Sequence, residues 1–329
     1  MANGLNQHDS YHSPSKQEKI AHSDLQTLHH SDRFPSVKLS IITINRNNAA
    51  GLARTLASTF RAQPGFDDWE QIVVDGASTD GSFGALAPYK DDPHLGWHIS
   101  EPDSGIYNAM NKGAAHATGT YLIFLNAGDT LLENSLSRVF ASAFDEEIVY
   151  GDILLSKSID GRTAKAASIW KTPDPADVTP AYFLLTSLPH QACLISRSLH
   201  ESMGGYDESL RVFADGKFFL SCIVSGQARL RHLSFAFSQF SEGGISTKAQ
   251  CEEPYLAERE EMLTQFFGRY VAHRIVYPPE RRWLRAHTAQ LANKDPAFAR
   301  YLGKTARFLD RMWSVRLFRG PARFLLKVR

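Results

Sequence analysis

Along this chain the hydrophobic positions fall into three textures. The first 35 residues have no periodic apolar pattern; they are rich in Ser, Gln and Asn and hold five of the thirteen His (His8, His12, His22, His29, His30). Such a segment buries too little apolar surface to offset the entropy of ordering it, so residues 1–35 are expected to be a disordered polar tail. Irregular His spacing in polar surroundings reads as solvated chain rather than as a metal site.

From Val37 onward, short and almost wholly apolar runs alternate with helical patterns: KLSIITI (38–44), WEQIVVD (69–75) and TYLIFL (120–125). Strands of this kind are buried on both faces, as in a parallel sheet. Between the first two, NAAGLARTLASTF (48–60) places Leu52, Leu56, Ala57 and Phe60 on one helical stripe, completing a strand–helix–strand unit. A second helix is predicted from Asp80, whose carboxylate can cap the amides of SFGALAPY, and a third over 106–117. Residues 147–245 read as more mixed, with strands at 147–156, 192–196 and 229–240 and a helix at 215–224. Beyond residue 250, Leu256, Leu263, Phe266 and Phe267 repeat at helical spacing. The expected organisation is a polar tail (1–35), an α/β domain with a mostly parallel, doubly wound sheet (36–250), and a helical extension (251–329).

Composition narrows the function classes. With 36 Lys and Arg against 35 Asp and Glu, the formal charge is +1, which argues against a globally basic nucleic-acid binder, and no nucleic-acid partner is expected. Three cysteines, Cys193, Cys222 and Cys251, form no C-x-x-C pair, which fits a reducing compartment. No apolar run approaches the roughly 18 to 20 residues that span a bilayer. A cytoplasmic protein is expected. The last thirty residues, however, carry nine Lys and Arg against one acid, Asp310, interleaved with Phe308, Trp313, Phe318 and Phe324. That mixture is expected of a helix lying on an anionic membrane surface, and the alternative is a packed helix with a solvated basic face.

In open α/β sheets ligands bind at the carboxyl ends of the strands. Here those ends are polar: Thr43 to Arg46, Asp75 to Gly81, and Asn126 to Asp129. A P-loop is excluded, because Ser82 and Phe83 stand where Lys and Ser or Thr would hold phosphate and magnesium. No G-x-G-x-x-G follows the first strand, so a dinucleotide-binding dehydrogenase loses its main support, and a nucleotide held by carboxylates and a metal remains open.

The ordered runs SIITINRN, IVVDGASTDGS and SEPDSGIYNAMNKGAAHATGTYLIFLNAGD resemble the inverting family 2 glycosyltransferases of GT-A fold, over about residues 37–245. The central stretch is most similar to the branch that builds bacterial exopolysaccharides such as colanic acid. The resemblance implies a nucleotide-sugar donor and a saccharide or lipid-diphosphate-linked acceptor at the inner face of the cytoplasmic membrane. It matches Thr43 and Asn45 to the loop near the donor's base and ribose, and Asp75, with Ser78 in the same loop, to the carboxylate that bonds the base. It matches Asp103 to the loop beneath the donor, and Asn111 and Lys112 to polar positions after it. Family members commonly show Asp-x-Asp-Asp where this chain has Asn126-Ala-Gly-Asp129, so a divalent cation, Mg²⁺ or Mn²⁺, would rest on Asp129 with the Asn126 amide oxygen.

Inversion requires a base to take the acceptor's proton, and the resemblance assigns this to Asp215 in GGYDESLRVFADGKFF. The bland reading of Asp215 is a helix cap. The family often has a second acid where this chain has Lys217, whose charge is expected to favour ionised Asp215, and a Glu where it has Ala214. His190 and Gln191 match an acceptor-facing Pro-His-Gln stretch, and Gly243 and Gly244 an element that closes over the diphosphate. The competing classes are a non-catalytic nucleotide-sugar-binding or assembly module, motivated by the thinned metal motif, and a nucleotidyltransferase, disfavoured by the absence of a basic, Gly-rich loop near the first strand.

Overall fold

The computed structural model describes residues 38–159, 162–241 and 253–276. The 1–35 tail, the Gly243–Gly244 element and the basic 300–329 segment lie outside them. The elements are β1 (Leu39–Asn45), α1 (Ala49–Phe60), β2 (Trp69–Asp75), a 3₁₀ helix (Ser82–Tyr89), β3 (Leu95–Ser100), α2 (Ile106–Ala115), β4 (Tyr121–Phe124), β5 (Thr130–Leu131) and α3 (Ser135–Val139). They continue with β6 (Ile148–Ile159), β7 (Arg162–Trp170), β8 (Cys193–Ser196), α4 (Arg197–Ser202), α5 (Ala214–Ser225), β9 (Leu230–Ser241), α6 (Glu253–Phe267) and α7 (Arg269–Val276).

The strands form one mixed sheet in the order β3-β2-β1-β4-β8-β6-β9-β5, with β7 on β6. The first four of these strands run parallel, and β8 joins β4 antiparallel. Period-2 alternation splits the parallel strands between two layers. Val73 packs with Leu52 and Leu56 of α1, while Ile42, Ile72 and Val74 pack with Met110 and Ala114 of α2. Both faces are therefore covered, which is why these strands read as continuous apolar runs. Gly113 permits the close approach of α2: a Cβ there would lie 2.5 Å from the Ile42 side chain.

Helix α1 is capped by the Asn48 side chain, which accepts from Gly51 N at 3.1 Å while its amide donates to the Ala127 carbonyl at 2.9 Å. The start of α1 is thereby pinned to the loop after β4. Asp80 accepts from Ser82 N at 3.0 Å, as expected, but also from Ala49 N at 3.0 Å. The element that follows has Gly81 rather than Asp80 as its N-cap and is a 3₁₀ helix with Pro88 inside it, where an α-helix was predicted; Pro supplies no amide for a continued ladder. Three strands escaped the sequence pattern: the two-residue β5, β3 and β7. β3 is half-buried at an edge and carries Gly96 and His98, and β7 forms a hairpin partner for β6.

The helical extension is present over α6 and α7. Leu263 is fully buried, and Leu256, Phe266 and Phe267 pack on the core shared by α2 and α5. Among the described residues no helix is long and apolar enough to cross a membrane.

Candidate active site

Register brings the first cluster together. Asn45, Asp75 and Ser100 are the last residues of three adjacent parallel strands and stand opposite one another across the sheet. Asp75 is fully buried. Its Oδ1 accepts from Asn45 Nδ2 at 2.7 Å and Ser78 Oγ at 2.6 Å, and its Oδ2 from Ser78 N at 2.9 Å and Ser100 Oγ at 2.6 Å. Burial pushes its pKa up, but the bonds from Ser100, Ser78 and Asn45 outweigh it and hold the carboxyl below the usual range. Four accepted bonds fill the lone-pair sites of a carboxylate. Asp75 thus organises the loop, and the acceptor left buried without a partner is Asn45 Oδ1.

Around this cluster the backbone is held in unusual conformations. Asn47 and Ala77 have φ of 50° and 54°, in the left-handed region that costs a non-glycine residue free energy. Asn47 is fixed there by donating its N–H to Ser78 Oγ at 2.7 Å and accepting from Thr79 N at 2.9 Å. A Cβ on Gly76 would stand 2.5 Å from Asp103 Oδ2, so Asp103 lies directly against this loop.

Three expected donor-side residues sit differently. Thr43 is fully buried beneath the loop, with its hydroxyl accepting from Gln71 Nε2 at 3.0 Å, and does not reach the surface of the site. The Asn111 amide clamps the 206–208 turn, donating to Tyr206 O at 2.8 Å and accepting from Tyr206 N at 2.9 Å. Lys112 is paired with Glu101 at 2.7 Å. A strand residue facing the core and a helix residue facing a turn have the same letters as a ligand contact, and only packing tells them apart.

A second cluster centres on Asp215 in the first turn of α5. Its Oδ1 accepts from Gly216 N at 2.8 Å and its Oδ2 lies 3.1 Å from His190 Nδ1. The single hydroxyl proton of Tyr107 is shared between the Val212 carbonyl and Asp215 Oδ1, the latter at 3.1 Å. Burial, and then the adjacent Asp215 charge, raise the Tyr107 pKa well above its usual value, so the phenol stays protonated and remains a donor. The N-cap of α5 is Phe213 rather than Asp215. The loop amides before the helix are instead satisfied by Glu258 of α6. It accepts from Arg211 N at 2.8 Å, Val212 N at 2.8 Å and Phe213 N at 2.9 Å. Lys217 does not pair with Asp215 as expected. It binds Asp207 at 2.6 Å and lowers that carboxyl to about 2, because two residues of helix, about half a turn, carry its ammonium to the other side.

His190 joins Asp215 to the loop after β4. Its Nε2 lies 3.3 Å from Asn126 Nδ2. One assignment satisfies both contacts: Nδ1–H donates to Asp215, and Nε2 accepts from the Asn126 amide. Asn126 Oδ1 is then buried with no partner. Nearby Asp129 is 5% exposed and accepts from Ser241 N at 3.0 Å. Burial is the largest influence and lifts its pKa to about 6, against the opposing effects of Ser241, His190 and a bond from Gln191. An orphaned amide oxygen beside a desolvated carboxylate fits a hard divalent cation, which such groups would satisfy. Among the described residues no group of three or more His, Cys, Asp or Glu is gathered to hold a metal. The described residues supply only part of a coordination shell, and a diphosphate could supply more of it.

The two clusters lie at the carboxyl edge of the sheet, and Asp215, His190 and Gln191 of the second line a cavity of about 420 Å³. Residues 40–204 match the model of Glycosyl transferase family 2. A PGL/p-HBAD biosynthesis glycosyltransferase of Mycobacterium bovis (strain BCG / Pasteur 1173P2) is 31% identical, covering 74% of this chain and 90% of its own.

The chain belongs to glycosyl transferase family 2.

Within this family, an uncharacterized glycosyltransferase of Mycobacterium tuberculosis (strain ATCC 25618 / H37Rv) is 35% identical over 184 residues, 55% of this chain and 67% of its own. S. aureus TarS 1-349 in complex with UDP-GlcNAc superposes with a TM-score of 0.55 at 16% identity, covering 73% of this chain and 70% of that one. The mannosyltransferase PcManGT from Pyrobaculum calidifontis, in complex with GDP-Man and Mn²⁺, gives 0.52 at 18%, covering 91% and 90%. Both support the GT-A fold. The family 2 chain is a nucleotide-sugar-dependent glycosyltransferase of hexosyltransferase type. The names of its relatives do not single out the exopolysaccharide branch that the central motif resembles.

Sequence reasoning missed Tyr107, Ser100 and Glu258. Tyr107 is a single aromatic in a helix that the sequence placed without assigning it a role, and Glu258 lies outside the matched region.

Proposed function

We propose that this enzyme transfers a hexosyl group with inversion, from a nucleoside diphosphate sugar to a saccharide or lipid-linked saccharide hydroxyl, with Asp215 as the general base. The observation carrying this is the setting of Asp215: first turn of a helix, held by Tyr107, His190 and Gly216, and open to the cavity on one side. In the step, Asp215 takes the proton of the acceptor hydroxyl as its oxygen bonds to the anomeric carbon. The bond from that carbon to the diphosphate oxygen breaks, and the nucleoside diphosphate leaves with both electrons. Tyr107 and His190 keep the carboxylate aimed at the acceptor. Asn45, Asp75, Ser78 and Asp103 shape the nucleotide loop. Asn126 and Asp129 would hold a Mg²⁺ or Mn²⁺ ion, which when bound offsets diphosphate charge. Gln191 supports Asp129, and Gly243 and Gly244 belong to the segment expected to close over the diphosphate.

The acceptor belongs to bacterial extracellular polysaccharide synthesis on the motif's resemblance, and the PGL/p-HBAD relatives add those acceptors to the set to be assayed. Attachment to the inner face of an anionic membrane is assigned to the basic tail. Co-sedimentation with anionic vesicles should be lost on deleting residues 305–329, and equal sedimentation would sink that assignment. The central test is Asp215→Asn with UDP, GDP, CMP and dTDP sugars. Transfer should drop by roughly 10² to 10⁴ with nucleotide affinity unchanged. Wild-type turnover in that variant would refute the assignment.

A further inference from the structure

The cavity beside Asp215 has two kinds of lining. Its polar groups include Asp215, His190, Gln191 and Ser187. Ser187 Oγ is buried without a hydrogen-bond partner, and it lies 3.6 Å from where a Cβ on Gly216, the residue after Asp215, would stand. An unpaired hydroxyl beside the base is a group that a bound molecule would satisfy. Its apolar wall includes Leu155, Trp170, Phe183, Leu185, Phe240 and Leu256. Leu185 is 57% exposed, one of only three large hydrophobics so exposed among the described residues. The remaining polar lining groups are Thr186 and Arg259, and the Arg259 guanidinium donates to the Leu184 carbonyl at 2.8 Å.

This wall is poorly suited to a second or third sugar. Each hydroxyl placed against it would lose water without gaining a partner, a cost of about 1–3 kcal/mol per unpaired group. An aromatic or alkyl body, in contrast, gains from every CH or CH₂ it buries. The wall is also continuous with the reaction site. Phe240 precedes Ser241, whose N–H and hydroxyl bond Asp129 and the Gly128 carbonyl. A cavity of about 420 Å³ accommodates one small molecule and not an oligosaccharide.

We infer that the acceptor carries an apolar aglycone that fills this cavity, with its reacting hydroxyl no more than one sugar ring away, at Asp215 and Ser187. This rests on the proposed glycosyl transfer and names its acceptor class. The test uses the full-length chain with saturating UDP. Octyl, phenyl and methyl β-D-glucopyranoside serve as probes below their aggregation concentrations, with affinity read by ligand-observed NMR and tryptophan fluorescence. The octyl and phenyl glucosides should bind at least tenfold tighter than the methyl glucoside. Leu185→Glu, at a half-open position that the fold tolerates, should abolish that preference; its melting temperature and UDP-induced shift serve as folding controls.

Equal affinity for the three probes overturns the inference, as does a preference that survives both Leu185→Glu and Phe240→Ala. Asp215-dependent consumption of a nucleotide sugar, measured alongside, separates the two levels. If it persists while the aglycone preference is absent, the inference alone falls. If no nucleotide binds and no donor is consumed, the proposed function falls with it.

Discussion

Removing the Glu258 carboxylate tests whether the helical extension builds the active site or only decorates it. Three loop amides, Arg211, Val212 and Phe213, donate to this one side chain at 2.8 to 2.9 Å, immediately before the helix that presents Asp215. Hydrogen bonds to a charged group contribute about 1.5–3 kcal/mol each. The three share one half-buried carboxylate, and water replaces part of what is lost, so Glu258→Ala should cost about 3 kcal/mol in all. For a domain of this size that lowers the melting temperature by roughly 6–12 °C. The activity effect should be larger than the stability effect implies, since a shift of about 1 Å in a catalytic group costs on the order of 10²-fold in rate. Glu258→Gln keeps an oxygen for Val212 and Phe213 and loses the acceptor facing Arg211, so it should lie between wild type and alanine in both measures. Differential scanning fluorimetry and initial transfer rates at saturating donor provide the readout. An alanine variant that melts within about 2 °C of wild type and keeps its kcat would refute the reasoning.

Two further perturbations follow from buried charge. His200, among Phe124, Tyr206 and Phe218, has its pKa lowered to about 4, chiefly by burial. Because the unfolded chain takes this proton first, its term favours the native state fully above about pH 6.5 and is lost as pH falls to about 4, worth about 3 kcal/mol across the window. Asp129, raised to about 6, acts in the opposite sense there, whereas Glu147 and Asp207, both near 2, act only at lower pH. The difference between wild type and His200→Phe in urea midpoint at pH 4.5 and 7 isolates the histidine, and an unchanged pH slope would contradict the assignment. At the metal position, EDTA should shrink the donor-induced thermal shift and Asp129→Asn should remove its Mn²⁺-dependent part; a full Mn²⁺ response in that variant would place the ligands elsewhere.

What the sequence disclosed was governed by how local the determining physics is. Strands β1, β2 and β4 were legible because burial on both faces leaves an unbroken apolar run, and α1 because its stripe and cap lie within thirteen residues. Asp75 and Asp215 stood out in the sequence as carboxylates at element ends. Their partners did not. Ser100 meets Asp75 only because β3 joins the sheet edge in a given register, and β3 itself hid behind half-exposed polar positions. Lys217 stood two residues from Asp215 and was expected beside it, yet helical geometry sends it to Asp207. Thr43 has the composition of a ligand contact and the burial of a core residue.

The same reasoning explains where this enzyme's specificity should reside. The family match ends at residue 204, while Asp215, the Glu258 clamp and part of the cavity lining, Val212, Phe213, Phe240 and Leu256, come from residues beyond it. The matched half supplies a nucleotide loop fixed by hydrogen bonds among three neighbouring strand ends, which tolerates little change because Asp75 has no lone pair to spare. The second half supplies long-range contacts: Tyr107 and Asp215 are 108 residues apart, and Arg259 reaches a carbonyl 75 residues away. Contacts of that kind can be rebuilt without disturbing the nucleotide loop. Acceptor choice is therefore free to differ among chains that share the donor motifs, and a relative's acceptor is a weaker guide to this enzyme than the wall of its own cavity.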